Sequence, residues 1–348
     1  MKNKAPIKYI LLGILALFIV ASIFLPIPYY IEKPGSTIAL NELVTVNGQK
    51  DQEPGSFSLT SVGVYQATLL RAAQAKFDPF SDIVSEEEFF GDATSEEYSQ
   101  MQQYYMSSSQ NSAVEQALTL ANKPFTFEFK GVYVMHIDPF SNFIDKIHVG
   151  DTVTQVDGQT FKSSQEFMDY VQNKTIGEEV EITVLHNGKE EKASGQLIEL
   201  ATNQKAGIGI SLVDHTEISS EEKIDFHVEN IGGPSAGLMF TLQIYEQLTQ
   251  ENLRQNRQIA GTGTINSEGV VGRIGGIDKK IASASAAGMD VFFAPDDEIT
   301  EEMKVNFPGI LSNYEEAKRA MKKLNTKMKL VPVKTVQDAI DYLKETKE

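Results

Sequence analysis

The sequence predicts a multidomain chain: an N-terminal transmembrane helix, then a β-rich module, then an α/β domain. Three observations carry this. Residues Tyr9 to Ile31 contain no charge. From Pro124 to about Leu200, short alternating runs are separated by turn residues. From Gly207 onward, strand-like and helix-like stretches alternate. A chain of 348 residues has room for two or three domains. With 41 % hydrophobic and 23 % charged residues, most of it can bury a core.

The charge-free run comes first. As a helix it would span about 35 Å, enough for a bilayer core. Lys2, Lys4 and Lys8 precede it, and Glu32 is the first acid after it. The positive-inside rule then places residues 1–8 in the cytoplasm, residues 9–31 in the membrane and the remainder outside the cell. Pro26, Pro28 and Tyr29-Tyr30 would mark the exit. A cleaved signal peptide is the competing reading: Val20-Ala21-Ser22 is a poor cleavage site, and no A-x-A follows the apolar core. The expectation is a single-pass cell-membrane protein with its later domains extracellular.

Net charge is −17, and about −20 once the lysine-bearing N-terminus is set aside. Such a surface repels phosphate backbones, which argues against nucleic-acid partners. No cysteine is present, so disulfides, zinc–cysteine sites and thiol nucleophiles are excluded.

Residues 32–123 read as an N-terminal extracellular unit of strands and an acidic helical segment. Pro34-Gly35, Asn47-Gly48 and Pro54-Gly55 punctuate its start, and Phe57, Leu59 and Ser61 alternate as a half-buried strand would. Its acids, among them Glu86, Glu87, Glu88 and Asp92, read as a solvated face. They lack the alternating oxygen ligands of a calcium loop.

Residues 124–200 change to short strands. Phe125, Phe127 and Phe129 alternate, and Val149 to Gly158 forms a strand closed by a turn. Ser164 to Val171 is a short helix with Phe167 and Val171 on one face. Val180 to Leu185 is a strand ended by Asn187-Gly188. The stretch V-G-D-T-V-T-Q-V-D-G at 149–158, with Phe161, resembles the PDZ family of peptide-binding domains. That resemblance implies a groove between an exposed strand edge, expected at Val132 to Ile137, and the helix Ser164 to Val171. An extended peptide would add to that edge by main-chain hydrogen bonds.

From Gly207 the periodicity predicts strands at Ile208–Leu212, Phe226–Val228, Thr262–Ile265, Val291–Phe293 and Leu330–Val333. It predicts helices over Ser235–Thr249, from Ile277, over 300–325 and over Val336–Leu343, the last capped by Thr335. Within this region Ile231-Gly232-Gly233-Pro234-Ser235-Ala236-Gly237 places a serine at a helix start. Unpaired N–H groups there suit a developing oxyanion. The serine needs a base. His136, His148, His186, His215 and His227 lie in no recognisable triad motif and read as structural or surface groups, although His227 is close in sequence. Gly275-Gly276-Ile277-Asp278-Lys279-Lys280-Ile281 offers two lysines. On a helix from Ile277, Lys280 shares a face with Ala284 and Ala287, and Lys279 with Ser283 and Ala286. The more apolar face weakly favours Lys280 as the buried amine, with Lys279 solvated. Burial is what lowers a lysine pKa enough for it to act as a base.

G-G-P-S-A-G followed by G-G-I-D-K-K-I resembles the proteolytic domain of Lon-type proteases over residues 207–348. The resemblance implies a serine endopeptidase with Ser235 as nucleophile and Lys280 as base. Thr262 stands where that family has a threonine bonded to the lysine amine. The order of anchor, PDZ-like module and Lon-type domain is similar to that of membrane-anchored Lon-like proteases of Gram-positive bacteria. No G-x-x-x-x-G-K-[ST] is present. The expectation is therefore an ATP-independent enzyme, without cofactor or metal, that cuts extracellular peptides or exposed protein segments. Two rivals remain. One is a small-molecule kinase using the glycine-rich turn for phosphate. The other is a membrane-tethered PDZ adaptor on an inactive protease scaffold.

Overall fold

The computed structural model describes residues 5–91, 93–201, 203–228 and 231–346. Lys2 and Lys4 of the expected cytoplasmic segment, and Asp92 of the acidic run, lie outside the described residues.

Helix α1 covers Ala5–Phe24. Among the described residues no helix is long and apolar enough to cross a membrane. The reason is local. Pro26 and Pro28 bring no N–H donors to a helix, and the chain becomes strand β1 (Pro26–Ala39) instead. The charge-free run is helical only from Tyr9 to Phe24. That is about 24 Å of helix, short of a hydrocarbon layer of roughly 30 Å. Its last residues are sheet: Tyr30 pairs with Gln66 on one side and Val84 on the other. The expected transmembrane helix at residues 9–31 is thus corrected, and with it the single-pass membrane localisation and the extracellular catalytic domain.

Among the described residues, the remaining chain builds two large sheets and three small ones of two or three strands. The first contains β1, β2 (Ser56–Thr68) and β3 (Asp82–Ser85), then, much later in the chain, β9 (Gln258–Gly261), β10 (Val291–Pro295) and β11 (Lys329–Val333). Its order is β11-β10-β9-β2-β1-β3, parallel from β11 to β2 and antiparallel from β2 to β3. Residues 32–123, read from the sequence as a unit of their own, therefore complete the sheet of the C-terminal α/β domain. Phe57 and Leu59 of β2 lie in the same core as Phe240 and Phe293, and Ser56, Ser58 and Thr60 are buried as well, so the strand expected to be half-buried is buried on both faces there.

The second sheet holds β4 (Phe125–Ile137), β5 (Thr152–Val156), β6 (Glu179–His186), β7 (Lys189–Gln196) and β8 (Ile210–Ser220), in the antiparallel order β8-β4-β5-β6-β7. Ile208 to Leu212, expected to open the α/β domain, instead feeds the edge strand of this second sheet. Val132, Val153, Ile182 and Val184 fill its core, closed by Phe167 and Val171 of helix α3 (Ser164–Gln172).

Helix α2 (Ser95–Leu120) begins at a capping box formed by Thr94 and Glu97. Its Met106, Ala113 and Ala117 join the α/β core. Elsewhere on the same helix, Tyr104 Oη donates to Asp214 O at 3.0 Å and Asn111 Nδ2 donates to Thr216 O at 2.8 Å. Both acceptors are on β8, so α2 joins the two sheets. Helix α4 (Gly237–Thr249) is buried on every side from Gly237 to Glu246, as expected for a helix between layers. It begins at Gly237 rather than Ser235. A Cβ at 237 would sit 2.8 Å from Ile265 Cγ2, so this first turn accepts no side chain.

Candidate active site

Three elements converge on one amine. Helix α5 (Ile277–Ala286) starts at Gly276, whose φ of +64° suits glycine. A Cβ there would lie 2.8 Å from Val62 Cγ2, so the glycine lets the helix start approach β2. One turn in, Lys280 points at the strand. Its Nζ lies 2.7 Å from Ser235 Oγ, 3.0 Å from Thr60 O and 3.3 Å from Thr262 Oγ1.

Adjacent lysines have opposite electrostatics. Lys280 is 4 % exposed. Burial out of water pushes its amine down to about 7. Lys279, expected to be solvated, is also buried, at 3 % exposure. Burial alone would lower it too. Its hydrogen bond to Asp82 and the charges of Asp278, Asp82 and Glu32 outweigh that and raise it. Helix geometry separates the pair by about 100°, which turns Lys279 toward carboxylates and Lys280 toward neutral oxygens. The sequence argument expected Lys280 to be buried, as it is, but misjudged its neighbour, because Asp82 and Glu32 are remote in sequence.

Ser235 is held through its backbone. Gly233 N–H donates to Gln102 O at 2.8 Å, and Ser109 Oγ donates to Pro234 O at 2.9 Å. Both partners are on α2. Ser235 O accepts from Gly263 N–H at 2.9 Å and from Thr262 Oγ1 at 3.0 Å. Thr262 thus touches both members of the pair. Among the described residues, the N–H groups of Ser235 and Ala236 have no protein acceptor. They lie just before α4, where helix geometry favours negative charge.

His227 is exposed, and its backbone N–H donates to Leu43 O. The other four histidines lie in the second-sheet region. His215 meets Thr152 Oγ1 at 2.8 Å and His186 meets Asp151 at 2.5 Å. Thr60 and Gln102 escaped the sequence reading. Each acts through a backbone carbonyl, which any residue type could supply.

Ser235 and Lys280 open into a cleft of about 1370 Å³, flanked by Thr60 to Tyr65 of β2 and by Gln102 and Met106 of α2. β9 pairs with β2 only as far as Leu59. Beyond it, one edge of β2 faces the cleft without a strand partner among the described residues. A second groove, of about 430 Å³, lies between α3 and the start of β8, with Phe167, Met168, Ile208 and Ile210 in its walls. The expected edge, Val132 to Ile137, is an inner strand paired on both sides. The free edge beside α3 is β8, which the sequence reading assigned to another domain.

Residues 95–197 match the PDZ domain family, and residues 180–343 match the Lon protease (S16) C-terminal proteolytic domain. The two matches overlap in the β6–β7 hairpin, which the structure gives to the second sheet. A Lon protease of Ureaplasma parvum is 32 % identical over 134 residues, covering 37 % of this chain and 16 % of that protein. One from Clostridioides difficile is 31 % identical over 153 residues, covering 39 % and 19 %. The chain thus spans less than a fifth of the length of these curated relatives. Among solved structures, the PDZ domain of an SdrC-like protein from Listeria monocytogenes is 42 % identical, covering 25 % of this chain and 90 % of that one, with a TM-score of 0.24.

Proposed function

We propose that this chain, in which a PDZ domain adjoins a Lon-type proteolytic domain, is a serine endopeptidase whose nucleophile is Ser235 and whose base is Lys280. The observation that carries this reading is the 2.7 Å contact between Ser235 Oγ and an amine that burial lowers to about 7. Near neutral pH a large fraction of Lys280 is then uncharged and able to accept a proton. As Oγ attacks a peptide carbonyl, Lys280 Nζ takes the hydroxyl proton. The oxyanion forms beside the Ser235 and Ala236 N–H groups. Lys280 then returns the proton to the departing amine, and water, deprotonated by the same lysine, releases the acyl group. Thr262 orients the amine and fixes the serine backbone.

The free edge of β2 from Thr60 to Tyr65 would receive the substrate as an added strand. The groove between α3 and β8 would hold a second, extended segment of it. Such a substrate must already be unfolded locally, and cleavage needs no added ATP. Turnover of an unstructured peptide is the test. Lys280→Arg keeps charge and bulk but cannot deprotonate at working pH. It should lose nearly all turnover while binding the peptide, as Ser235→Ala should. Near-normal kcat in Lys280→Arg would refute the assignment.

A further inference from the structure

Far along the chain from the proposed dyad, one cluster of ligating side chains has no role in peptide hydrolysis. His148 lies in the turn before β5, Asp151 ends that turn, and His186 ends β6. Topology brings them together: β5 and β6 pair antiparallel, with Thr152 opposite Leu185. The ligand atoms of the three residues lie within 4.8 Å of one another. Asp151 Oδ1 is 2.5 Å from His186 Nδ1, and Oδ2 is 3.8 Å from His148 Nδ1. The two imidazole rings are 4.9 Å apart.

We propose that His148, Asp151 and His186 form a binding site for a first-row divalent ion of the zinc class. The donor set is two neutral nitrogens and one carboxylate, which suits zinc and its neighbours. Magnesium and calcium call for oxygen-rich sets. Bonds of about 2.1 Å place tetrahedral ligands about 3.4 Å apart, so a small closure of these side chains suffices. The site is graded in rigidity. The Asp151 side chain is 3 % exposed and held by the His148 backbone N–H at 2.8 Å. The His148 side chain is 66 % exposed and free to swing inward. That bond and His186 occupy two of the carboxylate's roughly four acceptor positions. The Asn187 side-chain amide lies 3.0 Å from His186 Nε2; with its oxygen turned to that atom it would accept the Nε2–H of a ring ligating through Nδ1. The open side faces water, which would complete the coordination.

The ion would staple the 148–151 turn to the β6–β7 hairpin. Gly150 in that turn sits against α2: a Cβ there would be 3.0 Å from Gln100 Oε1. Metal loading would therefore stiffen the seam between the PDZ sheet and the helix that carries Gln102.

The test is calorimetric titration of the chelator-treated full chain with zinc chloride, with magnesium chloride as counter-probe. One zinc per chain at micromolar affinity or tighter is expected, with magnesium silent. His148→Ala and His186→Ala should each weaken zinc at least ten-fold. His136→Ala, exposed and outside the cluster, should change nothing. Because His148 is exposed, its alanine variant should keep the wild-type circular dichroism and peptide turnover. Absence of a saturable zinc signal, or its persistence in both histidine variants, would overturn the site.

Discussion

Replacing Lys280 by Met should abolish turnover yet stabilise the fold, by an amount that depends on pH. The side chain is 4 % exposed, and its amine falls from an ordinary 10.5 to about 7. A depressed pKa means the folded state binds the proton less tightly than the unfolded state does. The associated stability is full above about 10.5 and is lost as pH falls toward 7. The difference of about 3.5 pH units, at about 1.4 kcal/mol each, gives about 5 kcal/mol as an order of magnitude. Methionine carries no such penalty but leaves Thr60 O without its amine partner, which costs about 1 kcal/mol. Below pH 7, Lys280→Met should thus exceed its parent by a few kcal/mol. The gap should close by about 1.4 kcal/mol per unit as pH rises from 7 toward 10. The assay is urea unfolding of the pair in a Ser235→Ala background, which prevents self-cleavage. Other groups titrate equally in both proteins and cancel. A gap that stays constant from pH 6 to 10 would show that Lys280 is not depressed, and the proposed base would lose its physical footing.

Four further outcomes follow from the same geometry. The kcat/KM of the parent should rise about ten-fold per pH unit below about 7 and level off above it, as read from a pH–rate profile. Thr262→Val removes one hydrogen bond to the amine and one to Ser235 O. It should cut kcat by about ten-fold with little change in KM, taking about 1 to 1.5 kcal/mol for the bonds lost. Arg254 is fully buried between Asp51 and Glu246, and it also bonds Glu53 O and Pro54 O. Arg254→Ala should cost about 3 to 5 kcal/mol in urea unfolding, because the carboxylates are left behind without their cation. Met168→Glu puts a charge into the wall of the groove between α3 and β8. It should raise KM by about ten-fold for a substrate long enough to reach that groove, while a short peptide is cut as before.

The approach of Ser235 and Lys280, the pair proposed as catalytic, was legible because each is set by a local sequence pattern. A glycine-rich turn before a helix sets Ser235, and a second one, with a lysine one turn in, sets Lys280. Most helices were legible for the same reason: Thr335 caps α6 (Val336–Glu345) as its sequence implies, although the helix expected over 300–325 is two, Glu301–Asn306 and Asn313–Leu324, parted by Pro308-Gly309. What escaped was long-range. Nothing near Pro26 announces that β1 and β2 finish a sheet begun by β9, since strand partners are chosen by tertiary fit. The Ile208 to Leu212 alternation identifies a strand but not its sheet. The charge-free N-terminal run was judged by length, although Pro26 and Pro28 already marked where a helix must stop. The burial of Lys279 needed Asp82, and the three-residue cluster at His148 needed His186, both brought in by folding.

The 3.0 Å bond from Lys280 to Thr60 O closes over 220 residues of sequence. Everything between, including the whole second sheet, must be synthesised before the base meets its acceptor. On a ribosome Ser235 therefore emerges before the amine proposed as its base, and the pair is incomplete until Lys280 has followed. Pairings this distant also make folding slow. A fragment beginning at Gly207 would carry both members of the proposed dyad but not the strand that desolvates the amine, and it would expose the edge of β9 to other chains. Its lysine would titrate near 10.5 like any solvated lysine, so the fragment should be both sticky and silent.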